Sequence, residues 1–287
     1  MNYQWFPGHM TKAFRMMQED IKLIDLVIEL LDARAPMASR NPDIDKLASG
    51  KARMVLLNKA DLADERLNSE WTRYFEEKGY TVVLINSRNG DGIKRIVPAV
   101  QEACREKIER DRKRGIKNRP VRAMVAGIPN VGKSTFINSL AGKSAAKTGN
   151  KPGVTKGKQW IRLNKNVELM DTPGVLWPKF DDQETGRSLA FIGSINDEII
   201  DRRELACELI DYLKNDENGY SGIINVKYGV PEDKESHLIL TGIAAARNCL
   251  IKGGDPDIDR ASGILIDDFR SGKLGRITLE RVPEKTV

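Results

Sequence analysis

At 287 residues the chain is long enough for two hydrophobic cores, because one domain more often holds roughly 100–200 residues. Its 47 Lys and Arg exceed its 41 Asp and Glu, which favours a polyanionic partner. Its three cysteines form no CxxC pair, which argues against a zinc site and against disulfide bonds. No apolar run approaches the about 20 residues that cross a bilayer, and the first residues lack a signal-peptide pattern, so we expect a cytoplasmic protein without membrane contact.

The first part of the chain alternates between predicted helices and predicted buried strands. Apolar residues at helical spacing predict an amphipathic helix over residues 11–24. Short apolar runs rich in β-branched residues predict strands. The strands are predicted at residues 26–31, 53–57, 80–85, 121–126 and 167–170, and the intervening helices at residues 65–78, 93–112 and 133–140. This alternation predicts an α/β fold, with helices on both faces of a mostly parallel sheet.

The pattern changes to mostly helical near residues 175–182. Helices are predicted at residues 184–192, 197–213, 234–251 and 258–269, with turn-rich segments between them and a weak strand at residues 276–279. We therefore expect two domains, residues 1–176 with the sheet and residues 177–287 as a small all-helical domain.

Residues 127–134, GIPNVGKS, match the phosphate-binding loop pattern GxxxxGK(S/T) between a predicted strand and a predicted helix. Glycines at the start and near the end of such a loop let backbone N–H groups face phosphates. Lys133 is expected to reach the β- and γ-phosphates, and Ser134 is expected to coordinate Mg²⁺. The same segment adds Asn130, Val131, Gly132 and Thr135 to the expected nucleotide-binding residues.

Residues 58–61, NKAD, follow a predicted strand and predict selectivity for guanine. The Asp61 carboxylate can accept from both the N1–H and the exocyclic amine of guanine, whereas adenine offers no such donor pair. Asn86 and Ser87, after the next strand, are expected to support the base from the other side. Taken alone, NKAD is also compatible with a strand-to-helix turn in which Asp61 caps the helix. The expected nucleotide-binding residues of this motif are Asn58, Lys59, Ala60 and Asp61.

Residues 171–174, DTPG, follow another predicted strand. Asp171 is expected to hold Mg²⁺ through water, the Gly174 amide to meet the γ-phosphate, and Thr155 to supply a hydroxyl to the metal. DTPG alone could be any tight turn. Together, however, these motifs end separate strands, and an open α/β sheet binds its ligand at the carboxyl ends of its strands. The sequence therefore predicts a site for GTP or GDP with Mg²⁺.

The order of these motifs is unusual, because NKAD precedes the phosphate-binding loop. The sequence resembles the circularly permuted GTPases, and WFPGHM, DARAP, NKAD, GIPNVGKST, PGVTKG and DTPG are similar to the bacterial ribosome biogenesis GTPase A family over essentially the whole chain. The resemblance implies a circularly permuted P-loop GTPase domain followed by a helical RNA- and ribosome-binding domain. It also implies a late assembly factor of the large (50S) ribosomal subunit, which binds the immature subunit with GTP and leaves after hydrolysis.

The residues that drive hydrolysis are less evident. Val175 stands where many small GTPases carry a water-orienting glutamine, so another group must act. Asn130 is at the position where related GTPases coordinate potassium, although it could instead stabilise its own loop. His9, within WFPGHM, is a candidate to orient water, with helix capping or packing as the alternative. The catalytic candidates are thus His9, Asn130 and Lys133.

Basic residues are concentrated in two places. One is the run over residues 105–122, and the other is the helical part, with Arg247, Lys252, Arg260, Arg270, Lys273 and Arg276. Such runs usually form solvated helix faces, but they also suit ribosomal RNA bound through its phosphates. We expect the large ribosomal subunit as partner, no DNA, and a monomer. The alternative is a GTP-dependent RNA-binding or trafficking adaptor that does not need turnover.

Overall fold

The computed structural model describes Tyr3 and residues 8–116, 119–141, 159–177, 180, 182–214 and 219–283, apart from the side chains of His9 and Gln159. These residues form two compact units. Residues 182–277 with Tyr3 form the helical unit, and the other described residues form the sheet unit. The predicted boundary after residue 176 lies a few residues before the observed one. Residues 278–283, assigned to the helical domain by the sequence, instead belong to the sheet unit.

The sheet unit contains a six-stranded sheet in the order β3-β2-β1-β4-β6-β5. All neighbouring strands are parallel except β5, which runs antiparallel to β6. The predicted α/β class with a mostly parallel sheet is confirmed. The strands are β1 Leu26–Asp32, β2 Ala52–Asn58, β3 Thr81–Leu84, β4 Val121–Ala126, β5 Gln159–Arg162 and β6 Val167–Asp171. The helices are α1 Gly8–Asp20, α2 Asp43–Leu47, α3 Glu65–Glu77, α4 Ile96–Ala103, α5 Arg105–Lys113 and α6 Lys133–Ala141, with short 3₁₀ turns at Ile21–Leu23 and Ile93–Arg95.

Two elements of this unit were not predicted. The edge strand β5 has the sequence QWIR, in which Trp160 and Arg162 are exposed and Ile161 is buried, so it lacks the apolar run that identified the other strands. The helix α2 has only five residues, too few for a helical period to be visible. The predicted helix over residues 93–112 is a 3₁₀ turn followed by α4 and α5, which meet at Cys104.

The sheet places the nucleotide motifs at the carboxyl ends of its parallel strands. All residues of the central strand β1 are buried, and its register pairs Asp32 with Asn58 at the ends of β1 and β2. The chain moves outward from β1 through β2 to β3, and in the opposite direction from β4 to β6. The carboxyl ends of β1 and β4 therefore lie at the point where the strand order reverses, which is where open α/β sheets bind ligands.

The last described residues return to the sheet unit. We call residues 278–283 the C-terminal strap. Its Leu279 N–H donates to the carbonyl oxygen of Arg34 at 2.6 Å. The Glu280 carboxylate accepts two backbone N–H groups, each at 2.7 Å, from the segment that follows β1. The strap pairs with no strand of the sheet, so the strand predicted at residues 276–279 is absent from this described part of the chain.

The helical unit is built from helices packed around Leu209, Ile243 and Leu265, which are all fully buried. Asp257 caps the last helix, because its carboxylate accepts the Arg260 N–H at 3.0 Å. The helices are α7 Gln183–Phe191, α8 Arg202–Lys214, α9 Ile223–Tyr228, α10 Ser236–Ala246 and α11 Ile258–Arg270, with a 3₁₀ turn at Asp197–Ile199. Of these, only the short α9 was not predicted. Throughout the described residues, every helix is too short or too polar to cross a membrane.

Candidate nucleotide site

The phosphate-binding loop joins β4 to α6, as its pattern predicted. Asn130 and Gly132 have left-handed backbones, with φ of +61° and +94°. A Cβ on Gly132 would lie 2.5 Å from the Asn58 amide nitrogen, and a Cβ on Gly127 would lie 2.9 Å from the Leu30 carbonyl oxygen. Both positions therefore require glycine, because a side chain would collide with fixed neighbours.

Lys133 and Asp171 come together although they lie on different elements. Lys133 begins α6, and its side chain is buried. Its Nζ lies 3.4 Å from Asp171 Oδ1, at the end of β6, and donates to the carbonyl oxygen of Thr172. Burial lowers the pKa of Lys133, while the negative charge of Asp171 opposes this shift. The structure thus brings the loop lysine and the DTPG aspartate to one point.

Asn58 connects three loops. Its amide nitrogen donates to the Val131 carbonyl oxygen at 2.7 Å. Its amide oxygen accepts the Ser87 N–H at 3.0 Å and the Ser87 hydroxyl at 2.9 Å. The side chain is buried, so these bonds are shielded from water. Asn58 and Ser87, which the sequence assigned to the nucleotide, therefore hold together the phosphate-binding loop, the NKAD segment and the loop after β3.

The residues expected to read the base lie beside this connection. The Ala60 N–H donates to the Ile85 carbonyl oxygen at 3.2 Å, which joins NKAD to the loop after β3. Asp61 is exposed. The Asn86 amide oxygen accepts the backbone N–H groups of Arg88 and Asn89 and so shapes its own loop. Contact of Asp61 and Asn86 with guanine stays a prediction.

The DTPG segment packs directly on the phosphate-binding loop. A Cβ on Gly174 would lie 3.1 Å from the Pro129 nitrogen, so a side chain at this position would require the loop to shift by a few tenths of an ångström. The Val175 N–H donates to the Gly127 carbonyl oxygen at 3.2 Å, and the Asn41 amide donates to the Val175 carbonyl oxygen at 3.2 Å. The Val175 side chain is 4% exposed. An apolar, buried side chain at this position cannot orient water.

A buried ion cluster at the end of β1 was missed by the sequence reading. Asp32 is fully buried, and Arg34 binds its two carboxylate oxygens at 2.9 and 2.8 Å. The Lys59 ammonium lies 2.8 Å from the same carboxylate and donates to the Asn130 carbonyl oxygen at 2.9 Å. Burial raises the pKa of Asp32, but the two cations outweigh it and hold the pKa well below the usual range. The available signal was DARAP, which directly follows the central strand.

The described residues offer oxygen ligands that suit Mg²⁺. Ser134 supplies a hydroxyl in the first turn of α6, and Asp171 supplies a buried carboxylate. In the described part of the chain, no group of at least three His, Cys, Asp or Glu residues could hold a metal by itself. Such a donor set fits an ion that shares its coordination with phosphate oxygens and water. Thr155 and the side chain of His9 lie outside the described residues.

The predicted basic surfaces are only partly available. Arg270 donates to the carbonyl oxygens of Ala190 and Phe191 and pairs with Asp197 at 2.8 Å. It therefore joins α11 to α7 and does not contribute to the basic surface that the sequence predicted. Arg247 is exposed but pairs with Asp268 at 3.2 Å. The sequence could not separate such structural arginines from surface ones. The remaining exposed cations include Arg110, Arg112, Lys113 and Arg114 near the end of α5, and Lys252 and Arg260 in the helical unit.

Comparison with known proteins agrees with this geometry. The 50S ribosome-binding GTPase family matches residues 122–239, which begin in β4 and exclude NKAD. Ribosome biogenesis GTPase A of Bacillus cereus is 46% identical, with 99% of this chain and 95% of that protein covered. The protein of the same description from Bacillus pumilus is 44% identical, with 98% and 99% covered.

A solved structure extends the similarity to the fold. The GNP-bound structure of YlqF from T. maritima superposes with a TM-score of 0.65, at 29% identity, over 94% of this chain and 98% of that chain. The similarity therefore spans both units and includes the motifs that precede the phosphate-binding loop. The chain belongs to the ribosome biogenesis GTPase A family.

Proposed function

We propose that this protein is a GTP hydrolase that assists late assembly of the large ribosomal subunit, binding the immature subunit with GTP and leaving it after hydrolysis. The observation that carries the proposal is the convergence of NKAD, the phosphate-binding loop and DTPG at one sheet edge, in a chain similar over its whole length to ribosome biogenesis GTPase A. We infer the ribosomal role from the similarity, and we infer GTP binding and hydrolysis from the residues of the site.

The positions of the site residues support GTP binding. Phosphate oxygens would replace the Asp171 carboxylate and the Thr172 carbonyl as partners of the Lys133 ammonium. Ser134 and Asp171 would hold Mg²⁺, which neutralises charge on the β- and γ-phosphates when it is bound. Asp61 would accept the two donors on the edge of guanine. The Gly174 N–H, close to Pro129, would meet the γ-phosphate.

Hydrolysis needs assistance that the residue after DTPG does not provide. Because the Val175 side chain is buried and apolar, we assign assistance to two other groups. A potassium ion at Asn130 would add positive charge beside the phosphates as the transition state forms. His9 would orient the attacking water once the protein is bound to the subunit. Asn130 lies within the phosphate-binding loop, and its backbone is left-handed.

Ribosomal RNA is the proposed contact within the subunit. The exposed cations near the end of α5 and in the helical unit are suited to phosphate groups, which dominate the affinity of proteins for nucleic acids. The pairing of Arg270 and Arg247 with acidic residues reduces the number of cations available for this contact. Binding is therefore expected to weaken as salt rises, because each phosphate contact releases counterions.

Sedimentation with purified large subunits tests the proposal. The protein should co-sediment with immature large subunits in a non-hydrolysable GTP analogue and should remain in the supernatant with GDP. Lys133→Ala, which removes the phosphate-binding ammonium, should abolish the difference between the nucleotides. Lys165→Ala is the matched control, because Lys165 is exposed in the turn between β5 and β6, at the opposite end of β6 from Asp171. Equal sedimentation with the two nucleotides would contradict a GTP-controlled assembly role and favour a nucleotide-insensitive adaptor.

A further inference from the structure

Asp32 is a buried carboxylate that the nucleotide motifs do not explain. It ends the central strand β1, at the point where the strand order reverses, and its side chain is fully buried. Its own N–H donates to the Ser39 hydroxyl at 3.0 Å, which fixes the start of the following loop. Two cations, Arg34 and Lys59, face its carboxylate. One of them is the lysine of NKAD, so the cluster reaches into the nucleotide site.

Lys59 connects Asp32 to the phosphate-binding loop. Its Nζ lies 2.8 Å from Asp32 and donates to the Asn130 carbonyl oxygen at 2.9 Å. The ammonium therefore lies between a fixed anion on β1 and one particular carbonyl of the loop. Asn130 has φ of +61°, a conformation that residues other than glycine adopt infrequently. A strong hydrogen bond to the carbonyl helps to keep this residue in place.

The orientation of this carbonyl determines where the next N–H points. A trans peptide plane directs its C=O and N–H to opposite sides. When Lys59 binds the Asn130 carbonyl, the Val131 N–H therefore points away from NKAD. In the same way, the bond from Asn58 to the Val131 carbonyl, at 2.7 Å, directs the Gly132 N–H. Successive N–H groups turned to one side of such a loop are the donors that bind phosphate.

We propose that Asp32 is a positioning residue for nucleotide binding, because it holds the Lys59 ammonium against the Asn130 carbonyl and thereby aims the Val131 N–H at the phosphates. The inference rests on the proposed nucleotide site and adds to it a residue outside the nucleotide motifs. Arg34 has a different role. It neutralises the buried carboxylate, and its carbonyl oxygen binds Leu279 of the C-terminal strap.

Removal of Asp32 alone would leave Arg34 buried without its anion, which often unfolds a protein. The experiment therefore compares Arg34→Met with the double variant Asp32→Asn/Arg34→Met, in which no buried charge is left unpaired. The readout is the dissociation constant of fluorescently labelled GDP. Arg34→Met keeps the pair of Asp32 and Lys59 and should bind GDP within about twofold of the parent. The double variant should bind about tenfold more weakly, the loss expected for one hydrogen bond to a charged group.

A third substitution shows whether Asp32 acts through Lys59. In a Lys59→Met background, which keeps the stem of the side chain and the pair of Asp32 and Arg34, adding Asp32→Asn together with Arg34→Met should change GDP affinity by less than about twofold. Asp25→Asn is the matched control. Asp25 precedes β1 at the opposite end, pairs with Lys107 and Arg119, and is buried, so its loss should change stability but leave GDP affinity unchanged.

The outcomes separate this proposal from the function on which it rests. GDP affinity in Asp32→Asn/Arg34→Met equal to that of Arg34→Met would overturn the positioning role. An undiminished effect of Asp32→Asn/Arg34→Met in the Lys59→Met background would also overturn it, because Asp32 would then act by another route. Absence of GDP binding by the parent protein would instead contradict the nucleotide site itself.

Discussion

Asn58 gives the sharpest prediction about how the site is held together. Asn58→Ala removes three hydrogen bonds, one to the Val131 carbonyl and two from Ser87. A hydrogen bond contributes about 0.5–1.5 kcal/mol net, and an unpaired buried group costs about 1–3 kcal/mol. Since Asn58 is buried, we expect the free energy of unfolding to fall by about 2–4 kcal/mol. GDP affinity should also fall, because the Val131 carbonyl would no longer be fixed.

Urea unfolding with linear extrapolation measures the loss of stability, and titration with labelled GDP measures affinity. Asn164→Ala is the matched control. Its amide oxygen accepts two backbone N–H groups, from Asn166 at 2.7 Å and Val167 at 3.0 Å, in the turn between β5 and β6. This control should lose stability and keep its affinity for GDP. If Asn58→Ala binds GDP as tightly as Asn164→Ala, the loops that Asn58 joins do not control nucleotide binding.

Three further predictions follow from individual contacts and charges. Asp61→Asn should shift preference from GTP toward xanthine nucleotides, whose exocyclic group is an acceptor. Unchanged GTP affinity in a competition titration would show that Asp61 does not recognise guanine. GTP turnover should be faster in potassium than in sodium salts at equal ionic strength, and Asn130→Ala should remove the difference; equal parental rates would exclude the ion. Burial raises the pKa of Asp197, but its hydrogen bond to Arg270 and the nearby positive charges outweigh this, and the folded-state pKa lies below 3.8. This carboxylate therefore stabilises the helical unit above about pH 4 and loses that effect as the pH falls further, so Asp197→Asn should flatten the acid limb of a pH–stability curve; an unchanged limb would refute this.

The sequence predicted the elements that are defined by local patterns. The apolar runs of β1 to β4 and β6 are buried in a parallel sheet, so their composition alone identifies them. The phosphate-binding loop, NKAD and DTPG were placed correctly at the ends of their strands, since each motif directly follows such a run. Asn58 illustrates the limit of this reasoning: its position at the end of β2 was predicted, but the bonds of its amide to the phosphate-binding loop and to Ser87 were not.

The features that were missed depend on contacts between distant parts of the chain. The C-terminal strap reaches the segment after β1 through Glu280 and Leu279, and nothing in its own sequence indicates this partner. In the sequence, Arg270 looks like any exposed basic residue. Its contacts with the end of α7 and with Asp197 are formed only in the folded protein. The cluster of Asp32 and Lys59 likewise requires β1 and β2 to pair in register. Periodicity and motif spacing carry no information on such pairings.

Single-turnover GTP hydrolysis with saturating large ribosomal subunits is the most direct test of the proposed assembly role. Hydrolysis by the protein alone should be slow, large subunits should accelerate it strongly, and the acceleration should weaken as salt rises. His9→Ala should lower the accelerated rate while nucleotide affinity and subunit binding stay nearly unchanged, because water is oriented mainly in the transition state. A parental accelerated rate in His9→Ala would remove His9 from the mechanism. An equal hydrolysis rate with and without large subunits would contradict the role in large-subunit assembly.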